Sequence, residues 1–203
     1  MDVAFWTQRW SEGRIAFHEG KANAYLAQHA RVLAGRTVLV PLCGKAEDLA
    51  FLAAQGHDVV GIEVVEDAVK AFFAEHELTP AVREEGGVRV YSAASVTIVA
   101  GDFFATTREL VGPVDGYYDR AALIALPPEM RPRYAAHVRA LLAKGSKGLL
   151  VALEHANPTT PPFSVGEDEI RALYGDANVH LLGEGPAQER FVDGRERCFS
   201  IDF

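Results

Sequence analysis

Two short segments of the chain combine residue types and a spacing that suit the binding of a nucleoside. The first is an apolar run at residues 38–40 that stops at the turn 41–45, which reads Pro-Leu-Cys-Gly-Lys. The second is an apolar run at residues 59–62 that ends on the carboxylate of Glu63. A buried strand, a tight turn, a helix and a second strand tipped with an acid form the nucleotide-binding half of a doubly wound α/β fold, where the acid accepts hydrogen bonds from ribose hydroxyls. The two segments therefore predict a cofactor that contains adenosine.

The turn after the first strand carries too few glycines for a dinucleotide. A nicotinamide dehydrogenase has Gly-x-Gly-x-x-Gly at this place, because the pyrophosphate must approach the start of the helix closely. Here the turn has only Gly44, and Asp48 near the helix start would repel a phosphate, although Lys45 partly offsets that charge. A cofactor without phosphate suits the turn better. S-adenosylmethionine is such a cofactor, and a nicotinamide-dependent oxidoreductase is the disfavoured rival.

Strands and helices are predicted to alternate along the chain. Apolar runs predict strands at residues 37–42, 57–63, 88–91, 95–100, 116–119, 147–154, 179–182 and 197–203. Helical spacing of apolar residues predicts helices at residues 23–33, 47–55, 66–77, 130–142 and 165–174. Alternation of this kind predicts an α/β fold with a mainly parallel twisted sheet and helices on both faces.

Polar residues follow five of the predicted strands at the point where each strand ends. They are Cys43, Gly44 and Lys45 at the strand 37–42, Glu63 at the strand 57–63, Asp102 at the strand 95–100, Asp119 and Arg120 at the strand 116–119, and Glu154 and His155 at the strand 147–154. In open α/β sheets, ligands bind in the crevice outside the carboxyl ends of the strands. One such acid would be an ordinary solvated strand end, whereas five polar ends along one edge predict a binding site.

Composition narrows the class of protein further. The chain has 203 residues and a formal net charge of −8 without a basic block, which suits one α/β domain and disfavours a nucleic-acid partner. Neither a signal peptide nor an apolar stretch of the ~20 residues that a membrane span needs is recognisable, so no membrane association is expected. Cys43 and Cys198 suggest no disulfide framework, and the seven histidines lack metal-ligand spacing. These features predict a cytoplasmic monomer without a metal.

Longer motifs carry a resemblance to a known family. They lie at residues 5–10, 15–18, 40–45, 56–63, 72–75, 101–104, 118–127 and 161–165. On these motifs the chain resembles the thiopurine S-methyltransferase family over nearly its whole length. The resemblance implies a Rossmann-like class I methyltransferase fold, a single domain over residues 1–203, and an N-terminal helical segment, residues 1–35, that covers the cofactor site as a lid.

The resemblance also implies roles for individual residues. Trp10, Leu42, Gly44, Glu63 and Arg120 match positions at S-adenosylmethionine, with Glu63 on the ribose and Arg120 on the cofactor carboxylate. The matches to the segment that meets the adenine are Asp102 and Phe103, and the matches to the acceptor pocket are Phe17 and Phe163. No metal is implied.

The chemistry expected from these roles is direct, in-line transfer of the methyl group to a soft nucleophile. For this reaction the protein mainly has to align the two reactants and exclude water. Arg120 would favour an anionic acceptor, or Asp119 would accept its proton. The resemblance implies aromatic or heterocyclic thiols as acceptors, with selenium or tellurium oxyanions as an alternative. A sensor that binds the adenosine ligand without catalysis is a further alternative.

Several of these residues have a structural alternative. Trp6, Trp10 and Phe17 could belong to a helix packed on the core, and Arg120 could pair with Asp119 or Asp102. Cys43 is expected to be a small packed residue rather than a nucleophile, because no histidine partner is evident. Residues 156–160 and 194–203 depart from the family pattern, so the range of acceptors is the property that the sequence defines least.

Overall fold

The computed structural model describes residues 3–14, 18–33, 35, 37–156 and 159–203. Its strands are β1 (Thr37–Pro41), β2 (Asp58–Glu63), β3 (Ala81–Glu85), β4 (Val88–Ala93), β5 (Val96–Ala100), β6 (Val114–Arg120), β7 (Leu142–Glu154), β8 (Asn178–Pro186) and β9 (Arg195–Asp202). Its α-helices are α1 (Val3–Ser11), α2 (Ala24–His29), α3 (Glu47–Ala54), α4 (Glu66–Glu75), α5 (Arg108–Val111), α6 (Arg131–Leu141) and α7 (Glu167–Leu173).

All nine of these strands form one sheet in the order β3-β4-β5-β2-β1-β6-β7-β9-β8. The central strands β5, β2, β1, β6 and β7 are parallel to one another. Strand β9 runs antiparallel between β7 and β8, and the hairpin of β3 and β4 extends the opposite edge. The order reverses at β1, so the carboxyl ends of β1, β2 and β6 meet at a topological switch point.

Helices cover both faces of the sheet because the central strands are apolar on both sides. In β1, Leu39 packs into the core on one face, while Val38 and Val40 pack into the core on the other. Helices α6 and α7 supply apolar residues to the first core, and α3 and α4 supply them to the second. The predicted fold class, an α/β fold with a mainly parallel sheet between two helical layers, is confirmed.

Several elements differ from their predicted bounds. The predicted helix at 23–33 is α2 followed by a 3₁₀ helix at Ala30–Val32. Strand β3 was not predicted, because all five of its residues are exposed and its sequence, Ala-Val-Arg-Glu-Glu, has no buried face. Strands β8 and β9 are longer than predicted and form a hairpin whose connection, residues 187–194, reaches the carboxyl edge of the sheet.

In the described part of the chain, no helix has the length and apolar character that crossing a membrane would require. Cys43 and Cys198 are buried free thiols. Burial raises the pKa of the Cys43 thiol, and the nearby Glu63 carboxylate raises it further. Cys43 lies under Gly61, where a Cβ atom would stand 2.7 Å from the Cys43 sulfur. These contacts make Cys43 a packed residue of the turn, as expected.

Candidate active site

A cleft opens at the carboxyl ends of the parallel strands. It encloses about 1310 Å³ of space between protein atoms, counting the part open to solvent. Its walls come from the residues after β1, β2 and β6, the end of β7, helix α1, the loop at Pro161 and Pro162, and the β8–β9 hairpin. The cleft therefore lies where the sequence predicted the ligand crevice.

The turn after β1 forms the floor of the cleft. Leu42 and Gly44 both have positive φ, 49° and 55°, so the chain folds back sharply and turns its backbone toward the cleft. A Cβ atom on Gly44 would stand 3.1 Å from the Trp10 ring, which lies on α1 across the turn. The single glycine of the turn therefore lets α1 approach the backbone closely.

Glu63, at the end of β2, is buried next to that turn. Its Oε2 accepts a hydrogen bond from the Gly44 amide at 2.9 Å, and its Oε1 accepts one from the Val65 amide at 2.7 Å. Burial raises the pKa of the Glu63 carboxyl, while the two backbone hydrogen bonds oppose that rise. Because each carboxylate oxygen can accept a second hydrogen bond, the group remains able to take two hydroxyl donors from the cleft.

Arg120 lies at the end of β6 and is held by two carboxylates. Its Nε donates to Oδ2 of Asp48 at 3.3 Å, and its Nη1 lies 3.8 Å from Oε1 of Glu19. Asp48 is itself buried and accepts from the Asn23 amide at 2.7 Å and the Tyr118 hydroxyl at 3.1 Å. The expectation that Asp48 repels a ligand anion from the helix start needs correction, because its charge is directed at Arg120. The acids beside Arg120 are Asp48 and Glu19, not Asp119 or Asp102.

Asp119 precedes Arg120, and its side chain lies in the core instead of the cleft. It accepts hydrogen bonds from the hydroxyls of Tyr117 and Tyr134, both at 2.7 Å, and from the amides of Ala122 and Leu123. Burial raises its pKa, against the effect of these hydrogen bonds. Asp119 thus fixes the loop after β6 and does not line the cleft, so its position gives no support to the prediction that it accepts a proton from the acceptor.

Asp102 and Phe103 follow β5, beside the end of β2. The Gly101 amide donates to the Glu63 carbonyl at 2.9 Å, which brings this segment next to the Glu63 strand. Asp102 is exposed and accepts from the Phe104 amide at 3.1 Å. The ring of Phe103 is buried against Tyr134, with ring centroids 5.1 Å apart. Neither side chain lines the cleft, although their segment borders the Glu63 end.

The two predicted acceptor-pocket residues were Phe17 and Phe163. Phe17 lies outside the described residues. The ring of Phe163 packs under the guanidinium of Arg131 at 5.9 Å, and its amide donates to the Ile124 carbonyl at 2.6 Å. The neighbouring Pro161 and Pro162 line the cleft, and Phe163 does not. The predicted segment is thus at the cleft, with its two prolines as the contact residues.

Several cleft residues were not among the predicted site residues. They are Trp6, Arg9, His18, Glu19, Lys45, Gln188, Arg190, Phe191 and Glu196. Trp6 and Arg9 could have been found, since Arg9 and Trp10 follow Trp6 by three and four residues, the spacings that bring side chains to one helix face. The hairpin residues carried no such signal, because only the pairing of β9 with β7 brings their segment to the cleft.

His18 and Lys45 lie together at one side of the cleft. Burial lowers the pKa of His18, and the charge of Lys45 lowers it further. One ligating atom each of His18, Glu47 and Glu75 lies within 4.8 Å of the others. The Lys45 ammonium binds Glu75 at 2.5 Å, and His76 Nε2 lies 3.1 Å from Glu47. The Lys45 ammonium thus already pairs with Glu75, and the His76 ring already contacts Glu47.

Comparison with known proteins agrees with this geometry. A family model described as Thiopurine S-methyltransferase (TPMT) matches residues 1–198. A thiopurine S-methyltransferase of Pseudomonas aeruginosa (strain UCBPP-PA14) is 49% identical over 191 residues, which are 91% of this chain and 88% of the relative. A thiopurine S-methyltransferase of Azotobacter vinelandii is 50% identical over 188 residues, 90% of this chain and 86% of the relative.

A solved structure supports the fold. The 1,6-didemethyltoxoflavin-N1-methyltransferase of Burkholderia thailandensis, with bound 1,6-didemethyltoxoflavin and S-adenosylhomocysteine, matches with a TM-score of 0.71 at 19% identity. The match covers 98% of this chain and 86% of that one. The fold and the cleft thus define a class I methyltransferase that uses S-adenosylmethionine as cofactor. Within that class, the chain belongs to the thiopurine S-methyltransferase family.

Proposed function

We propose that this methyltransferase transfers the methyl group of S-adenosylmethionine to the sulfur of an aromatic or heterocyclic thiol. One observation carries the proposal: the cleft combines a buried carboxylate and a backbone turn at one end with apolar walls and the Arg190 guanidinium at the other. The relatives named thiopurine S-methyltransferase support the same acceptor class.

The cofactor end of the cleft fits S-adenosylmethionine. The free lone pairs of Glu63 would accept the two ribose hydroxyls, and the backbone of the turn at Gly44, which faces Trp10, would lie along the chain between ribose and sulfur. Arg120 would bind the carboxylate of the methionine part, since its guanidinium is held by Asp48 in a fixed orientation. Asp102 borders the Glu63 end and would accept from the adenine amino group.

The acceptor end of the cleft is mainly apolar. Ile124, Leu153, Pro162 and Phe191 line it, and these side chains suit the faces and edges of an aromatic ring. Arg190 also lines this end, so a ring with an anionic sulfur meets positive charge as well as an apolar wall. This combination favours a flat thiol over a hydrophilic acceptor.

The protein's part in the reaction is alignment. S-adenosylmethionine supplies a methyl group that its sulfonium sulfur already activates. The apolar walls hold the acceptor sulfur in line, and α1 excludes water from above the turn. Arg120 favours the anionic form of a sulfur nearby, because its positive charge lies at the boundary between the two ends.

The proposed function is tested by cofactor binding followed by turnover. Calorimetry should detect S-adenosylmethionine and not NADH, and the purified protein should methylate a panel of aromatic thiols. Selenite and tellurite are assayed beside the thiols, because Arg120 and Arg190 would also bind an oxyanion. Faster methylation of the oxyanions than of the thiols would show that the preferred acceptor is a selenium or tellurium oxyanion. Cofactor binding without methylation of any acceptor would instead favour a sensor and contradict the proposal.

A further inference from the structure

Glu196 is a carboxylate in the cleft that remains available to bind a ligand. It lies on β9, where its register partners are Leu153 of β7 and Gly185 of β8. Side chains alternate along a strand, and the neighbouring Arg197 points to the other face, where it pairs with Glu154 and Glu184. Glu196 itself lines the cleft together with Leu153.

The other carboxylates that line the cleft already have partners. Glu63 accepts from two backbone amides, and Glu19 lies 3.8 Å from the Arg120 guanidinium. Among the described residues, the Glu196 side chain has no hydrogen bond or ion pair, although its carbonyl accepts from the Tyr25 hydroxyl at 3.4 Å. Of these three carboxylates, Glu196 alone is free to bind a ligand proton at the acceptor end.

We propose that Glu196 is the proton acceptor for a thiol that enters the cleft in its protonated form. The inference rests on the proposed function and adds to it a residue that sequence comparison did not single out. Glu196 lies at the same end as Leu153, Arg190 and Phe191, which form the proposed acceptor wall. The carboxylate thus faces the place where the S–H or ring N–H of the acceptor would lie.

The step balances without any further reactant. The thiol gives its proton to a Glu196 oxygen, and the freed electron pair on sulfur forms the bond to the methyl carbon. The bond between that carbon and the sulfonium sulfur breaks, and its electron pair stays on the cofactor's sulfur. The products are a thioether, S-adenosylhomocysteine and protonated Glu196, which then releases its proton to water.

The charges around Glu196 suit a base. Burial raises the pKa of the Glu196 carboxyl, the like charge of Glu19 raises it further, and Arg120 opposes both effects. Tyr25 is the other titratable group near it, and burial together with Glu196 raises the pKa of that phenol, so Tyr25 stays neutral while Glu196 titrates. A carboxyl group with a raised pKa is a better base for a thiol, because general-base catalysis becomes more efficient as the pKa of the base approaches the pKa of the thiol.

The first test compares two acceptors in the Glu196→Gln variant at one pH. One is an electron-poor aromatic thiol that is fully ionised at that pH, and the other is a thiol that is still protonated. For the protonated thiol kcat/KM should fall by about a hundredfold, the usual worth of a general base, while the ionised thiol should lose less than about threefold. Glu189→Gln is the matched control, because Glu189 is an exposed carboxylate of the same hairpin that does not line the cleft.

A second readout does not depend on turnover. Calorimetry measures the affinity of the protonated thiol for the complex with S-adenosylhomocysteine. Glu196→Gln should weaken that affinity about tenfold, since a hydrogen bond to a charged acceptor is lost. The affinity for S-adenosylhomocysteine itself should stay unchanged, which also shows that the variant is folded.

The pH profile completes the test. With the protonated thiol, activity should rise with pH as Glu196 loses its proton, and this acid limb should move to lower pH in Glu19→Gln, because the like charge that raises the Glu196 pKa is gone. An acid limb that stays in place would overturn the inference even if Glu196→Gln did not fold.

The other outcomes separate the inference from the proposed function. Equal loss for both thiols would assign Glu196 an electrostatic or structural part, and no loss for either would remove it from the reaction; both results overturn the inference alone. A wild-type protein that methylates no thiol would overturn the proposed function, and the inference with it.

Discussion

At the scale of single residues, Glu63 is expected to bind the cofactor and to hold the turn at the same time. Its oxygens accept from the amides of Gly44 and Val65. Glu63→Ala should therefore raise the dissociation constant of S-adenosylmethionine by about ten- to a hundredfold, the worth of two charge-assisted hydrogen bonds. It should also lower the free energy of unfolding by about 1–3 kcal/mol, since two amides lose their acceptor.

Calorimetry and urea unfolding measure the two effects of Glu63→Ala separately. Asp67→Asn is a suitable control, because Asp67 lies in the first turn of the following helix with its side chain 88% exposed. Unchanged cofactor affinity in Glu63→Ala would contradict the assignment of Glu63 to the ribose.

Asp48 is expected to act on the cofactor through Arg120. It is buried, does not line the cleft and accepts from Arg120 Nε. Asp48→Asn should weaken S-adenosylmethionine binding about tenfold, the equivalent of about 1.4 kcal/mol, because Arg120 loses its fixed orientation. Tyr118→Phe is the matched control, since it removes another donor to the same Asp48 oxygen and leaves Arg120 in place. If both variants weaken binding equally, Asp48 has only a stabilising role.

At the scale of elements, helix α1 is part of the cleft without being part of the core. None of its residues is buried, yet Trp6, Arg9 and Trp10 line the cleft. Trp6 and Trp10 are also the two tryptophans of the sequence, so their fluorescence should report cofactor binding directly. This behaviour would support the proposal that the N-terminal segment covers the cofactor.

The two tryptophans should differ in their response. Trp10 lies against the Gly44 turn, so Trp10→Phe should remove most of the emission change on addition of S-adenosylhomocysteine, while Trp6→Phe should keep it. Because α1 buries no residue, neither substitution should move the urea midpoint appreciably. An emission change of the same size in both variants would place the cofactor away from Trp10.

At the scale of the whole molecule, a set of buried phenols should make stability sensitive to alkali. Burial raises the pKa of Tyr117, Tyr118, Tyr134 and Tyr174. In the unfolded chain these phenols ionise at about pH 10. The contribution of these phenols to the free energy of unfolding is therefore fully present below about pH 10. It is lost as pH rises further, by about 1.4 kcal/mol per pH unit for each tyrosine.

Urea unfolding between about pH 8 and about pH 11 measures this loss. The buried thiols act in the same direction, since burial raises the pKa of Cys198 to about 12. The Tyr174→Phe variant separates the effect of the phenols from that of the thiols, because it removes one phenol. The free energy of unfolding of this variant should fall less steeply with pH, by about 1.4 kcal/mol per pH unit. The same steepness in the variant would show that Tyr174 ionises freely in the folded protein.

Much of the fold could be predicted because its central strands are buried on both faces. The runs at residues 38–41 of β1, 59–62 of β2 and 148–153 of β7 are almost wholly apolar, and the predicted helices show helical spacing. Strand β3 could not be predicted, since an exposed edge strand pairs through its backbone and leaves no pattern in its side chains. The length of the β8–β9 hairpin could not be predicted either, because backbone pairing between the two strands sets it.

The sequence by itself determined the cofactor class and the edge of the sheet where the cleft lies. Chain order alone puts Gly44, Glu63 and Arg120 at the carboxyl ends of predicted strands, and the scarcity of glycines argues against a dinucleotide. Only the tertiary structure decided that Asp119 turns into the core, that Asp48 holds Arg120, and that Glu196 lines the cleft. The physical reason is that a strand's end is a local property, whereas the direction and partner of a side chain depend on segments that are distant in sequence.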